Sequence, residues 1–266
     1  MPIFLISAAV LLGLFLWSDD EARPALMGSA KLPPNPVGDF IPGDRVIIIG
    51  LPLSGKTYLA GKLTKNVPRI LFFDPYHDYA EYGATEIEAD DLLADPTILN
   101  RSTFRYAIIP DEDDLAEQLD LCVKVARAAG NLVFVMDEVG DYKQKGSLTL
   151  EKLARNGRHN GLVPIYVSQV AMDIPRTVRR LATKVYSFRQ ADIDDLDALA
   201  ERYGEKYAQE VSRLPRREFA LWTLQDFDRK AQDPSPQSGR QGQPSDSTRP
   251  DSRETTRRQS GSEFSA

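Results

Sequence analysis

The run Gly50-Leu51-Pro52-Leu53-Ser54-Gly55-Lys56-Thr57 is a complete G-x-x-x-x-G-K-[ST] phosphate loop, and no other stretch constrains the fold as strongly. It follows the apolar stretch Val46-Ile47-Ile48-Ile49 and precedes a helix-forming segment, so strand, loop and helix must succeed one another. Glycines let the backbone wind until several N–H groups point at phosphate oxygens, and the helix N-terminus adds its positive end. The expected ligands are ATP and Mg²⁺. Residues Gly50 to Thr57, with Tyr58, are the expected nucleotide contacts. Lys56 is expected to reach the β- and γ-phosphates and the Thr57 hydroxyl to ligate the metal.

Some 80 residues later comes Leu132-Val133-Phe134-Val135-Met136-Asp137-Glu138, an apolar strand ending in two acids. This is the Walker B pattern. Asp137 is expected to hold Mg²⁺ through a coordinated water and Glu138 to polarise the attacking water. Side chains at the carboxyl end of a central strand face the crevice where such sheets bind ligands. A further strand, 163–168, ends in Ser168-Gln169, which places Gln169 as a candidate γ-phosphate sensor or water-orienting residue, or an ordinary strand-terminal polar group.

β-branched runs alternate with helical periodicity throughout the middle of the chain, as in a parallel α/β sheet. The pattern predicts strands at 45–49, 69–73, 105–109, 132–136, 163–168, 184–189 and 218–223. Helices are predicted at 56–64, 113–129, 149–156, 176–182, 192–203 and 205–213. Cys122, the sole cysteine, falls on the apolar face of 113–129 and reads as core filler, and a single cysteine excludes a disulfide framework. With His77 and His159 the only histidines, a His-rich metal centre is not supported either.

Residues 3–17 form an uncharged apolar run. It reads best as a short membrane anchor, with a buried interaction helix and a cleaved signal as the other options, since no basic residue precedes it. The expected organisation is a hydrophobic N-terminal helix at 1–18, a Pro-containing linker at 19–40, a compact domain at 41–230 and a disordered tail at 231–266 rich in Ser, Gln, Gly, Pro and Arg.

The formal net charge is −6, yet the window 142–190 holds ten basic residues against Glu151 and Asp173, a local +8. Such a block suits a nucleic-acid phosphate backbone held without base reading. The alternative is that these cations pair with acidic helices of the same or a neighbouring subunit. Lys143-Gln144-Lys145-Gly146 reads as a pore or DNA-contact loop.

The order of phosphate loop, Asp-Glu strand, the stretch Leu153-Ala154-Arg155-Asn156-Gly157-Arg158-His159-Asn160-Gly161 and a strand ending Ser-Gln resembles the FtsK/HerA superfamily of DNA-pumping ATPases. Within it the chain resembles the genome-packaging ATPases of tailless membrane-containing phages. Phe73-Asp74-Pro75-Tyr76-His77-Asp78-Tyr79 also resembles that superfamily's pattern. The resemblance implies an α/β P-loop NTPase fold, RecA-like, with a mainly parallel sheet flanked by helices. It implies a homo-oligomeric ring, usually of six subunits, acting on DNA, with an arginine completing the neighbour's site. Arg155 and Arg158 occupy the matching stretch, and Arg179 and Arg180 are the reserve pair. The expected activity is ATP-driven DNA translocation, most simply viral genome packaging, with the ATPase domain on the cytoplasmic side of a virion or host inner membrane and virion vertex or membrane proteins as further partners. The alternatives are a membrane-bound phage assembly ATPase of the zonula-occludens-toxin type, a P-loop phosphotransferase, and a nucleotide-gated membrane scaffold.

Overall fold

In the computed structural model of the chain the described residues are 32–225, with backbone alone for 143–147. The hydrophobic helix expected over 1–18, most of the linker and the tail at 231–266 lie outside the described residues. Among the described residues no helix is long and apolar enough to cross a membrane.

The strands are β1 (Val46–Ile49), β2 (Arg69–Phe73), β3 (Thr85–Glu88), β4 (Phe104–Ile109), β5 (Val133–Met136), β6 (Val163–Ser168), β7 (Lys184–Phe188) and β8 (Phe219–Thr223). Between them run α1 (Lys56–Leu63), α2 (Ala89–Ala94), α3 (Leu115–Ala129), α4 (Lys143–Asn156), α5 (Arg176–Leu181), α6 (Ile193–Tyr203) and α7 (Glu205–Arg213). They form one sheet in the order β3-β4-β2-β5-β6-β1-β7-β8. Every pair is parallel except β7–β8, where Phe188 lies opposite Phe219 and Lys184 opposite Thr223.

The central strands are buried on both faces, which is why they read as continuous apolar runs and not as alternating ones. The two faces are covered unequally. Ile47, Ile49, Leu71, Phe73, Phe134 and Met136 point to a large core shared with α2 to α7. Their alternates Val46, Ile48, Ile70, Phe72, Val133 and Val135 pack against α1, Val67 and the segment containing Val37 and Phe40. Val37 and Phe40 are buried, so the packed body begins ahead of position 41.

Two differences from the sequence reading have physical causes. β3, with sequence TEIE, is an exposed edge strand whose polar residues give no hydrophobic signal. The Lys143–Gly146 segment is not a loop: α4 begins at Lys143 and runs unbroken to Asn156. Gly146 lowers helix propensity locally, but the turns that follow it, anchored by buried Leu150 and Leu153, carry the helix through.

Candidate nucleotide-binding site

β1 delivers the chain to Gly50, whose N–H donates to the Ser168 carbonyl at the end of β6 (3.2 Å). A Cβ on Gly50 would lie 2.5 Å from Phe188 Cβ and 2.6 Å from Ser54 Oγ, so only glycine fits between β7 and the loop. The loop then folds back, with Ser54 N–H donating to the Leu51 carbonyl at 3.2 Å, and passes through left-handed backbone at Leu53 (φ 60°) and Gly55 (φ 107°) before α1 starts at Lys56. Tyr58 sits in the first turn of α1, exposed beside the cleft.

The sheet order makes β5 and β6 neighbours and sets β6 against β1, so their carboxyl ends open on one cleft. There the buried Lys56 ammonium lies 3.7 Å from Glu138 Oε1. Gln169 Nε2 donates to that same oxygen at 3.1 Å, and the Gln169 carbonyl accepts from Gln190 Nε2 at 3.1 Å. Glu138 itself has left-handed backbone (φ 46°), an uncommon conformation for a non-glycine residue, which turns its side chain toward Lys56. Lys56, Glu138 and Gln169, drawn from three separate segments, therefore converge.

Asp137 lies just behind them, almost fully buried. Its N–H donates to the Phe73 carbonyl (3.1 Å), its carbonyl accepts from Tyr142 Oη (2.8 Å), and its Oδ1 accepts from Glu138 N–H (2.9 Å). Burial pushes its pKa up to about 7, against the downward pull of the nearby Tyr79 hydroxyl. That hydroxyl approaches the carboxyl without reaching full hydrogen-bond geometry, and the Tyr79 ring stacks on Phe72 (4.2 Å between centroids). Asp74, at the end of β2, accepts from the N–H groups of Asp78 (3.0 Å) and Tyr79 (2.9 Å), which orders the Phe73–Tyr79 stretch beside the site.

The residues present fit a nucleotide with Mg²⁺. Ser54 Oγ is buried in the loop without a hydrogen-bond partner, a polar atom awaiting a ligand. Among the described residues no cluster of three or more acids, histidines or cysteines could hold a metal by itself. A hydroxyl and one carboxylate, Thr57 and Asp137, are what Mg²⁺ needs when phosphates and waters supply the rest.

The cleft spans about 940 Å³, and its lining shows two regions. Residues 52–59 and Lys62 of the loop and α1, with Asp78, Glu81, Glu138 and Gln169, form one. Phe188, Arg216, Arg217 and Phe219 form the other, and sequence reading missed all four because a basic pair in a turn and aromatics at the end of one strand and the start of the next match no motif.

The arginine candidates lie elsewhere. α4 runs from the carboxyl edge of the sheet back to the amino edge, carrying Arg155 and the following Arg158 away from their own phosphate loop. Arg155 is exposed, 3.6 Å from Glu151 and 3.3 Å from Thr177 Oγ1, and Arg158 packs beside Gly43 ahead of β1. Arg179 donates to the Ala171 and Ile174 carbonyls at 2.9 and 2.8 Å, a structural use, whereas the Arg180 side chain is exposed. Other cations of the basic window are paired within the chain: Lys184 with Asp44 (2.8 Å) and Arg176 with Glu201 (2.5 Å).

No protein-family model matches the sequence, and no curated protein does. Solved structures do. The genome packaging NTPase B204 from Sulfolobus turreted icosahedral virus 2, in complex with ATP-gammaS, superposes with a TM-score of 0.56 at 22% identity, over 70% of this chain and 95% of its own. The fold is similar to that of a viral genome packaging NTPase. The DNA-packaging ATPase from Sulfolobus turreted icosahedral virus gives 0.52 at 21% identity over the same shares. The N-terminal domain of zonular occludens toxin from Neisseria meningitidis, at TM-score 0.34 and 19% identity over 56% of this chain and 78% of its own, is too distant to support the assembly-factor alternative.

Proposed function

We propose that the chain is an ATP-hydrolysing DNA translocase of the viral genome-packaging kind. The observation that carries the reading is the convergence of Lys56, Glu138 and Gln169 on one point beside the phosphate loop. A protein that only bound nucleotide would have no use for a carboxylate held there by strained backbone. Bound ATP with Mg²⁺ supplies the phosphoryl group and neutralises its developing charge. The loop N–H groups and Ser54 would hold the phosphates, and Thr57 and Asp137, the latter through a coordinated water, would hold the metal. Without nucleotide, the Lys56 ammonium is occupied by Glu138; once it turns to phosphate, Glu138 is released to accept a proton from water. Gln169 then keeps the Glu138 carboxylate oriented.

The placement of Arg155 and Arg158 at the far edge of the sheet supports a head-to-tail ring in which one of them reaches the neighbour's nucleotide. Exposed Lys152, Arg158, Arg180 and Arg189 leave positive charge for a DNA backbone. Anchoring at a membrane rests on the apolar run 3–17, and retention of the full chain but not a chain lacking 1–18 in a membrane pellet tests it.

ATP turnover tests the central reading. Glu138→Gln is expected to lose about 10²–10⁴-fold in rate while still binding ATP, and Lys56→Ala to lose binding. Unchanged turnover in Glu138→Gln rules the hydrolytic role out.

A further inference from the structure

The second region of the cleft has no role in the account above. Between α7 and β8 the chain makes a tight turn, closed by the Glu218 N–H donating to the Pro215 carbonyl at 3.2 Å. Its third residue, Arg217, has left-handed backbone (φ 67°), a position where glycine or asparagine costs least. A bulky cation held there is a backbone outlier of the kind found at ligand contacts. Among the described residues neither Arg216 nor Arg217 has a hydrogen-bond or ion-pair partner, and both line the cleft that contains Lys56.

Beside them Phe219 is 41% exposed, yet it is fixed by two edge-on rings, Phe188 at 5.6 Å and Tyr186 at 5.5 Å between centroids. Phe188 in turn is the residue against which Gly50 packs, so the aromatic wall abuts the phosphate loop directly. A partly exposed aromatic face, and two cations without a partner among the described residues, thus line the same cleft as Lys56 and Glu138. That is the arrangement a nucleotide needs at its base and phosphates.

We propose that the 215–219 segment is a nucleotide clamp acting within its own subunit: Phe219 packs against the base, and Arg216 and Arg217 hold phosphate oxygens in the cleft they share with Lys56 and Glu138. The proposal rests on the ATP-site reading and adds to it two cations that do not come from a neighbour.

Equilibrium binding of ATP, ADP and adenosine to the full chain, at protein concentrations where it is monomeric, tests the clamp. The variants are Arg216→Ala/Arg217→Ala, Arg216→Lys/Arg217→Lys, Phe219→Ala and Lys56→Ala. The double alanine variant is expected to lose ATP affinity by about 10-fold or more, the worth of charge-assisted hydrogen bonds, and to leave adenosine binding unchanged. The double lysine variant should recover part of the loss, which a merely unfolded protein would not. Phe219→Ala should weaken all three ligands alike. ATP binding by the unaltered chain that is lost in Lys56→Ala but kept in the double alanine variant overturns the clamp alone and hands the arginines to another partner. No ATP binding by the unaltered chain overturns the ATP-site reading and the clamp with it.

Discussion

The Asp137 carboxyl, raised by burial to a pKa of about 7, takes up a proton in the ligand-free chain as pH falls below neutrality. An unfolded aspartate holds its proton only below about 3.9. The folded state therefore binds the extra proton between those values, and this group's contribution to stability is present at low pH and lost as pH rises through about 7. Asp137→Asn removes that dependence. The variant should match the unaltered chain near pH 4 and exceed it at pH 8, by the order of a few kcal/mol, in urea unfolding without nucleotide. Equal stabilities at pH 8 would show that the carboxylate is not a buried cost. Next to it, Glu138 combines left-handed backbone, at the entry to the turn 139–141, with the contact to Lys56.

At the scale of elements, the sheet is tied at its amino edge by a buried arginine. The Arg69 guanidinium, at the start of β2, donates to the carbonyls of Asn131 (3.1 Å), Gly130 (3.4 Å) and Arg101, and lies over the Phe104 ring at 4.7 Å. It joins β2 to the turns that precede β4 and β5, and burial lowers its pKa to about 10, still charged at neutral pH. Arg69→Met keeps much of the bulk but orphans three carbonyls, and should cost about 2–4 kcal/mol in denaturant unfolding. A loss below 0.5 kcal/mol would mean water replaces those bonds freely.

The same scale shows what could be read ahead of the structure. β1, β2, β5 and β6 were legible because strands buried on both faces must be apolar, and the phosphate loop was legible because its backbone path demands glycine at fixed positions. β3 was not, since an edge strand owes its place to pairing with β4 and not to burial. The convergence of Lys56, Glu138 and Gln169 could be expected from strand ends, but the shared Glu138 oxygen could not. Arg216, Arg217 and Phe219 were invisible because their nearness to the loop depends on β8 returning antiparallel to β7, a tertiary fact without a local pattern.

For the whole molecule, the unequal cover of the sheet and the run of α4 decide how copies could cooperate. The phosphate cleft opens at the carboxyl edge of the sheet, while Arg155, in the last turn of α4, and Arg158, just beyond it, sit toward the opposite, amino edge. Neither arginine lines its own cleft, so completion of the site by either requires a second copy. The formal charge of −6 is no obstacle to DNA, because the basic window keeps exposed cations after Lys184, Arg176 and Arg179 are spent on internal contacts. Binding of this kind is driven by phosphate neutralisation and should weaken steeply with salt.

The most direct test of a DNA-driven motor is ATP turnover by the full chain as double-stranded DNA of unrelated sequences is titrated in at low salt. Turnover is expected to rise with DNA whatever its sequence and to disappear in Glu138→Gln. Turnover that is indifferent to DNA, or that survives in Glu138→Gln, would contradict a DNA-driven motor.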